Sequence, residues 1–301
     1  MRLHPALADL LPTFLGTLEL TASQSASLEE ASAEILNKYS VPDEPHHLQL
    51  HHKVIKTKKI ATNRAIVLGN ALHGFKRPNI LDVKLGVRLW ADDAAAEKKE
   101  RFDRITAETT HKELGFRVAG MRVWQGHDAP RGGHVDRHGF KIYDKNYGRD
   151  ELNATNVSEA FRVFIFTETA GIDDELGRLV AQAFAAEVAE VQRALEAVET
   201  RMFSASLLFV FEGDGEALRE AMEEASKPLP QAEGEGDGAD AEEESDDDDD
   251  DDDEIPPKIY AVKLIDFAHA EFVPGQGPDE NSLTGIRSVA KILRELGGED
   301  A

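Results

Sequence analysis

The sequence contains no cysteine, so disulfide bonds and cysteine-ligated metal sites are excluded. It also has no apolar run near the roughly 20 residues that a helix needs to cross a bilayer. The first residues, Met1 to Pro5, lack the apolar segment of a secretion signal. These absences predict a protein without a transmembrane segment, resident in the nucleus and the cytoplasm.

Positive charge is missing from one segment of the chain. Residues 233–254 hold sixteen acidic side chains, eight of them consecutive aspartates, and no lysine or arginine. Without these sixteen charges the formal net charge falls from −24 to −8. Like charges repel each other and bury no apolar area, so residues 228–256 are predicted to form a disordered insertion. The mildly acidic remainder offers no extended basic face, and direct contact with nucleic acid is not expected.

Hydrophobic residues make up 41% of the chain, which is enough for a packed core. Apolar periodicity and composition predict helices over 92–108, 156–166, 174–200 and 284–296. Strands are predicted over 12–20, 65–68, 78–86, 115–124, 141–143, 206–211 and 259–266. The last two strands are expected to be sheet neighbours, with the acidic insertion looping out between them. Strands and helices alternate irregularly, which predicts an α+β fold.

Two of the predicted strands carry the residues of greatest chemical interest. In the strand Pro78–Gly86, Asp82 and Lys84 are two positions apart, so both point to one face while the intervening leucines and valine point to the core. The strand 259–266 ends on a single carboxylate, Asp266. ATP chemistry requires an oxygen ligand for a metal ion and a fixed positive charge for the moving phosphoryl group. These three side chains supply both.

Several motifs in this order resemble the inositol polyphosphate kinase family, most closely its fungal multikinase branch. They are P-x-x-x-D-x-K-x-G at Pro78–Gly86, Ser-x-Ser-Leu-Leu at 204–208 and Ile-Asp-Phe-Ala-His at 265–269. A further block is Leu-Gly-Phe-Arg-x-x-Gly-Met-x-Val at 114–123, followed by Asp-Lys-Asn-Tyr-Gly-Arg at 144–149. The resemblance spans residues 8–297.

The resemblance implies a two-lobed, kinase-like fold with antiparallel sheets, a hinge and an inositol-binding helical segment. Residues 1–68 correspond to the N-terminal lobe and 69–301 to the C-terminal lobe. The N-terminal lobe is expected to be truncated, because family members carry earlier strands with a glycine-containing loop and a lysine that holds the ATP phosphates. The adenine hinge is expected at Val67, Leu68, Gly69 and Asn70, which would bind through backbone groups.

The resemblance also assigns roles in ATP binding. It implies that Asp266 is the ligand of a Mg²⁺ ion that bridges the ATP phosphates, whereas a strand-end aspartate alone would more often be a turn or cap residue. Ser206 would bond a phosphate oxygen or metal-bound water, although a buried serine bonded to the backbone is nearly as common. Asp82 is interpreted first as a binder of the nucleotide ribose and second as a catalytic base. Lys84 would lie over the inositol ring, close to the attacking hydroxyl and the γ-phosphate. The alternative is that Asp82 and Lys84 form an ordinary surface ion pair without a catalytic role.

The helix 92–108 presents Lys98, Arg101 and Arg104 three positions apart, so one face forms a basic ridge. Such a ridge suits a substrate that bears several phosphates, but it also describes an ordinary solvated helix. Arg122 and His269 are further candidates for substrate binding. His269 points to the multikinase or hexakisphosphate kinase branches, because trisphosphate 3-kinases usually carry a lysine there.

The predicted function is therefore an ATP- and Mg²⁺-dependent kinase that converts inositol trisphosphate to tetrakis- and pentakisphosphate, acting as a monomer. The alternative is a catalytically impaired adaptor of the same fold, in which residues 233–254 recruit basic transcription or chromatin proteins. The histidines at 46, 47, 51 and 52 are interpreted as a polar loop or strand surface rather than a metal site.

Overall fold

A computed structural model describes residues 5–19, 63–129, 134–227 and 258–299. The histidine-rich segment and the predicted disordered insertion lie outside these residues. The chain forms two compact units, one of residues 13–69 and one of residues 1–12 with 70–301. The sequence-based division instead places all of residues 1–68 in the first lobe, and that assignment stays a prediction.

The smaller unit contains a two-stranded antiparallel sheet. Strand β1 (Phe14–Glu19) pairs with β2 (Arg64–Leu68), with an irregularity between Phe14 and Gly16. The Gly69 N–H donates to the carbonyl of Thr13 and extends this pairing by one hydrogen bond of 2.7 Å.

The larger unit is built on a five-stranded antiparallel sheet in the order β5-β4-β3-β7-β8. Its strands are β3 (Pro78–Leu85), β4 (Phe116–Trp124), β5 (Phe140–Tyr143), β7 (Ser206–Glu212) and β8 (Tyr260–Ile265). A short antiparallel pair is formed by β6 (Thr200–Met202) and β9 (Ala270–Phe272). The prediction that β7 and β8 are neighbours is confirmed: Ser206 pairs with Ile265 and Phe211 with Tyr260.

Six α-helices lie within the described residues of the larger unit. They are α1 (Ala96–Glu108), α2 (His111–Leu114), α3 (Val157–Ile165), α4 (Asp174–Glu196), α5 (Gly215–Ser226) and α6 (Glu280–Gly297). Aspartate side chains cap three of them, because Asp173, Asp214 and Asp279 each accept a backbone N–H from the first turn of α4, α5 and α6. Within the described ranges, no helix combines the length and apolarity needed to span a membrane.

The core lies on one face of the large sheet. Leu81, Val83 and Leu85 of β3 are fully buried there, with Phe209 of β7 and Leu264 of β8. Helices α3, α4 and α6 supply the other side of this core through aromatic and aliphatic side chains. The predicted α+β class with antiparallel sheets is confirmed, and the alternate residues of β3, including Asp82 and Lys84, are left on the opposite face. The side chains that these three helices contribute to the core include Phe161, Phe164, Phe184, Val188, Ile286 and Val289.

Candidate active site

Lys84 and Asp266 are brought together by the order of three neighbouring strands. Lys84 pairs with Ser206 across β3 and β7, and Ser206 pairs with Ile265 across β7 and β8. Asp266 therefore lies one residue beyond this row, and its Oδ2 is 3.1 Å from Lys84 Nζ. The predicted approach of these two distant segments is confirmed.

The Lys84 ammonium also donates to the carbonyl oxygen of Ser204, at 2.8 Å. Ser204 and Asp266 have φ angles of 62° and 67°, and they are the only described residues other than glycine with positive φ. This left-handed backbone is uncommon for residues with a Cβ and concentrates at functional sites. One lysine thus bonds to both strained positions, which fixes the Asp266 carboxylate at the end of β8.

The Asp266 carboxylate is suited to a metal ion that takes most of its ligands from elsewhere. Its side chain is 56% exposed, and the ion pair with Lys84 uses one oxygen, Oδ2. Within the described residues, no three His, Asp or Glu side chains converge on a common metal position. Mg²⁺ commonly binds through one or two carboxylates together with phosphate oxygens and water, and the single aspartate fits that donor set.

Asp82 lies on the same face as Lys84 but is much less accessible. Its Oδ1 is buried and has no hydrogen-bond partner among the described residues, and the same holds for the Oγ of Ser206, its diagonal neighbour on β7. Burial raises the pKa of the Asp82 carboxyl, while the nearby Ser206 hydroxyl and Lys84 ammonium oppose that rise. Because the Asp82 Oδ1 is shielded from solvent, a ligand hydroxyl does not reach it in the present structure.

The turn after Lys84 is held rigidly from behind. Gly86 has a φ of 102°, and its carbonyl accepts a 2.7 Å hydrogen bond from Nδ1 of the buried His111. Burial lowers the pKa of His111 to about 3, so the ring is neutral and Nδ1 carries the proton. The Asn281 side chain of α6 accepts from the backbone N–H groups of Val87 and Arg88 at 2.9 and 2.7 Å. These contacts fix the end of β3, and neither His111 nor Asn281 is identified from the sequence.

Two arginines that sequence reasoning missed lie in the same layer. Arg117 of β4 pairs with Lys84 of β3, so it shares the Asp82–Lys84 face, and it is only 5% exposed. Burial and the nearby Arg149 lower the pKa of Arg117, and the Nε atoms of both guanidinium groups are buried without a hydrogen-bond partner in the described part of the chain. The available signal is the arginine inside the otherwise apolar start of β4, next to Phe116 and Val118.

The basic residues of α1 are accessible. The helix has no buried residue, in keeping with its polar sequence, and starts at Ala96 rather than at 92. Lys98 Nζ is 3.2 Å from Nε2 of His269, which joins the helix to the segment after Asp266. Arg101 and Arg104 are exposed on the same helix. Lys98 and His269 are therefore brought together, whereas the substrate role of all four side chains stays a prediction.

Arg122 is the one predicted substrate residue that lies apart from this group. It pairs with Ile80, four residues along β3 from Lys84, a separation of about 13 Å in a strand. Its guanidinium lies 3.6 Å from the ring centroid of Phe140 and 3.5 Å from the Asp136 carboxylate. These local partners engage the side chain in the structure.

The predicted hinge residues lie at the end of β2 and just beyond it. Val67 and Leu68 pair with Gly16 and Phe14, and the Gly69 N–H already donates to Thr13. Asn70 Oδ1 accepts the backbone N–H of Leu72 at 3.0 Å. The remaining backbone groups of the segment are the ones that could meet an adenine ring.

Comparisons with known proteins decide the family. A sequence profile described as inositol polyphosphate kinase matches residues 65–294. The chain belongs to the inositol polyphosphate kinase family. It is 32% identical over 304 residues to the inositol polyphosphate multikinase of Saccharomyces cerevisiae, covering 96% of this chain and 83% of that protein. It is 27% identical over 263 residues to inositol hexakisphosphate kinase 1 of Rattus norvegicus, covering 85% of this chain and 57% of that protein.

Among solved structures, this inositol polyphosphate kinase is similar to inositol phosphate multikinase of S. cerevisiae in complex with ADP and Mn²⁺. The TM-score is 0.64 at 26% identity, with 96% of this chain and 89% of that chain covered. The predicted family, the kinase-like α+β fold and the enzyme class are thereby confirmed. The relatives named here belong to the two branches that His269 indicates, and the comparisons give no support to the adaptor alternative.

Proposed function

We propose that this inositol polyphosphate kinase uses ATP and Mg²⁺ to phosphorylate ring hydroxyls of inositol tris- and tetrakisphosphates. The 3.1 Å approach of Lys84 to Asp266 carries the proposal, because it sets a fixed cation beside a candidate metal ligand. The ADP and Mn²⁺ in the related yeast structure support a nucleotide and a divalent cation as ligands of this chain. Transfer is direct, from ATP to the ring hydroxyl, without a phosphorylated enzyme.

Asp266 and Ser206 would hold the phosphate end of the nucleotide. Asp266 supplies the anionic oxygen for the cation, whereas the Ser206 hydroxyl is fully buried and would reach a phosphate oxygen or metal-bound water only if its surroundings opened. Mg²⁺ held by Asp266 would offset negative charge on the transferring phosphoryl group. The 3.1 Å ion pair with Lys84 holds the Asp266 carboxylate in position before any ligand arrives.

Lys84 stabilises the charge that develops on the transferred group. Phosphoryl transfer passes through a loose transition state, so positioned positive charge contributes more than proton abstraction does. The ammonium is 20% exposed and is held by the Ser204 carbonyl and the Asp266 carboxylate. The Lys84 side chain therefore loses little further conformational entropy when a substrate binds. Asp82 would accept a hydrogen bond from the ribose; a role as catalytic base is the second possibility.

The adenine would contact the backbone of residues 67–70, whose free groups exclude the Gly69 N–H that bonds to Thr13. Lys98, Arg101, Arg104 and His269 would contact the phosphates of the inositol substrate, since Lys98 Nζ lies 3.2 Å from Nε2 of His269, three residues after Asp266, and Arg101 and Arg104 are exposed on the same helix as Lys98. Arg122, which pairs with Asp136 and Phe140, would serve that purpose only after leaving these partners.

Incubation of the purified full chain with inositol trisphosphate, ATP and Mg²⁺ tests the function, with products separated by anion-exchange chromatography. We expect tetrakis- and pentakisphosphates from wild type and a loss of rate of at least about a hundredfold in Lys84→Met and in Asp266→Asn. Lys291→Met, which removes an exposed lysine from α6, is the matched control and should retain the wild-type rate. The proposal would be overturned if wild type formed no higher inositol phosphates, or if Asp266→Asn retained the wild-type rate.

A monomeric state and a location in both nucleus and cytoplasm also belong to the proposal, as do basic transcription or chromatin proteins as partners of residues 233–254. Light scattering of the purified chain tests the first. Imaging of the tagged protein in cells tests the second, and capture by wild type compared with a deletion of 233–254 tests the third.

A further inference from the structure

Helix α1 carries the basic ridge of Lys98, Arg101 and Arg104, yet none of its residues is buried. Burial of apolar surface therefore contributes little to fixing this helix on the larger unit. A helix that presents charges to a ligand must nevertheless be held at a defined rotation, because each side chain moves with the backbone. Several of the contacts that hold α1 are polar or aromatic, and they converge on one residue outside the helix, Trp90.

The indole of Trp90 contacts two successive turns of α1. Its Nε1 donates a hydrogen bond of 2.6 Å to Oδ1 of Asp103, and its ring centroid lies 4.8 Å from Nζ of Lys99. The Lys99 ammonium also donates to the carbonyl oxygen of Asp92, at 2.8 Å. Lys99 and Asp103 are four positions apart and so lie on one face of the helix. That face is thereby held against the segment that follows β3.

Trp90 itself is held by residues close to Lys84. The guanidinium carbon of Arg88 is 3.9 Å from the Trp90 ring centroid and 4.8 Å from that of Phe203, which is buried. The Nε of Arg88 donates to the Trp90 carbonyl oxygen at 3.0 Å. Phe203 precedes Ser204, whose carbonyl oxygen accepts from Lys84. A continuous series of contacts therefore leads from the Lys84 ammonium to α1.

The face held by Trp90 and the basic ridge are on opposite sides of α1. At 3.6 residues per turn, the mean direction of Lys99 and Asp103 differs by about 180° from the mean direction of the ridge. The contact with Trp90 therefore directs the ridge away from the segment after β3. Lys98, at one end of the ridge, meets His269 at 3.2 Å. Rotation of α1 about its axis would break the Trp90–Asp103 bond and move the ridge relative to His269.

We propose that Trp90 is a positioning residue that fixes the rotation of α1 and thereby sets where the basic ridge meets the phosphates of the inositol substrate. This inference rests on the proposed function, in which the ridge binds those phosphates. The hydrogen bond from the indole to Asp103 is the specific contact, because an aromatic ring without a donor does not fix one orientation of the helix. ATP is assigned to other groups, Asp266 and the backbone of residues 67–70, so nucleotide affinity should not depend on Trp90.

Three substitutions separate the hydrogen bond from charge and from packing. Trp90→Phe keeps an aromatic ring but lacks the N–H donor, and Asp103→Ala removes the acceptor. Asp103→Asn loses the same charge as Asp103→Ala but retains an acceptor oxygen. Removal of the Asp103 charge by itself would strengthen phosphate binding, because a negative charge leaves the neighbourhood of the ridge. A weaker affinity in Asp103→Ala therefore cannot come from charge.

We expect the KM for inositol trisphosphate to rise about five- to tenfold in Trp90→Phe and in Asp103→Ala, and to stay within about twofold of wild type in Asp103→Asn. The KM for ATP should be unchanged in all three variants. Glu100→Ala, which removes an exposed acidic charge from the same helix, is the matched control and should raise neither KM. A merely structural role would lower kcat or the melting temperature without this separation between the two substrates.

Calorimetric titration with inositol trisphosphate in the absence of ATP measures the same affinity without turnover, and the Kd should follow the KM through the four variants. The inference is overturned if Trp90→Phe and Asp103→Ala retain the wild-type affinity, or if Asp103→Asn loses as much affinity as Asp103→Ala. Should Trp90→Phe fail to fold, the two Asp103 variants decide the question. Should wild type bind but not phosphorylate inositol trisphosphate, the proposed function fails, while the calorimetric comparison still tests the positioning by Trp90.

Discussion

The Lys84 ammonium and the Asp266 carboxylate form an ion pair although 182 positions separate them in the chain. The contact is possible because β7 lies between β3 and β8, so that Lys84, Ser206 and Ile265 form one row across the sheet. Since the ion pair is partly exposed, it contributes little to folding. Its value lies in placing a cation and a metal-ligating oxygen at one point.

The left-handed conformation of Asp266 predicts how the position tolerates substitution. Asn adopts positive φ more readily than other residues with a Cβ, whereas a β-branched side chain is strained there. We expect Asp266→Asn to unfold in urea within about 0.5 kcal/mol of wild type. Asp266→Val should lose about 1–3 kcal/mol, although the side chain it replaces is largely exposed.

Denaturant titration of both variants and of Ile265→Val, a neighbouring change on regular strand backbone, provides the comparison. Equal stability of Asp266→Val and wild type would contradict a strained backbone at this position. The Asn variant also has a second use: because it preserves the fold, its loss of turnover can be attributed to the missing carboxylate.

His111 predicts an acid sensitivity of the fold. Its pKa is 6.5 in the unfolded reference and about 3 in the folded protein, because the buried ring stays neutral. Between these values the unfolded chain binds one more proton than the folded chain, so stability falls as the pH is lowered from 6.5 toward 3. The slope from this residue approaches about 1.4 kcal/mol per pH unit.

The comparison of His111→Asn with wild type at pH 7 and pH 5 measures this contribution. The asparagine amide can still donate to the Gly86 carbonyl but does not titrate, so the variant should lose about 2 kcal/mol less than wild type over this interval. Ser288→Ala, which changes an α6 residue that does not titrate, should leave the pH dependence of wild type. An identical slope in wild type and His111→Asn would refute the assignment.

The sequence predicts the chemistry of β3 and β8 better than it predicts the surroundings. Alternation of apolar and polar residues is sufficient to place Asp82 and Lys84 on one face, and a strand end is sufficient to single out Asp266. Register and layer order come from tertiary packing, and these decide that Arg117 lies beside Lys84 while Arg122 lies four residues away. The sequence alone does not distinguish a buried arginine from an exposed one.

Element boundaries show the same limit. The helix predicted from Thr284 starts at Glu280, because Asp279 caps it and also accepts the backbone N–H of Met202 at 2.7 Å. Apolar periodicity begins only at Leu283, so the first turn carries no hydrophobic signal. Helix α5 (Gly215–Ser226) is missing from the sequence-based assignment altogether. It is short and largely polar outside its few buried residues, so its hydrophobic signal is weak.

Gly285 of α6 predicts a large effect from a small change. A Cβ at this position would lie 2.2 Å from the carbonyl oxygen of Gly115, where the helix meets the start of β4. Although alanine favours helix formation, the backbone contact must open to admit the methyl group, at a cost of about 2–4 kcal/mol. Ser288→Ala, on the same helix, serves as the control; unfolding of Gly285→Ala at the wild-type midpoint would show that the helix can shift freely.

The exposed arginines of α1 predict selective loss of inositol substrate affinity. Arg101 and Arg104 have no ion-pair partner among the described residues, so replacing them should leave the fold intact. If they bind substrate phosphates, Arg101→Gln and Arg104→Gln should each raise the KM for inositol trisphosphate by about five- to twentyfold and leave the KM for ATP unchanged. In the double variant Arg101→Gln/Arg104→Gln, the KM for inositol trisphosphate should depend less on ionic strength. Fewer positive charges then attract the substrate, so salt has less attraction to screen. The matched control is Lys291→Gln with Arg294→Gln, which removes two exposed positive charges from a different helix, α6. Equal effects of the two double variants would mean that net charge alone steers the substrate, and the basic ridge would then not be a binding surface.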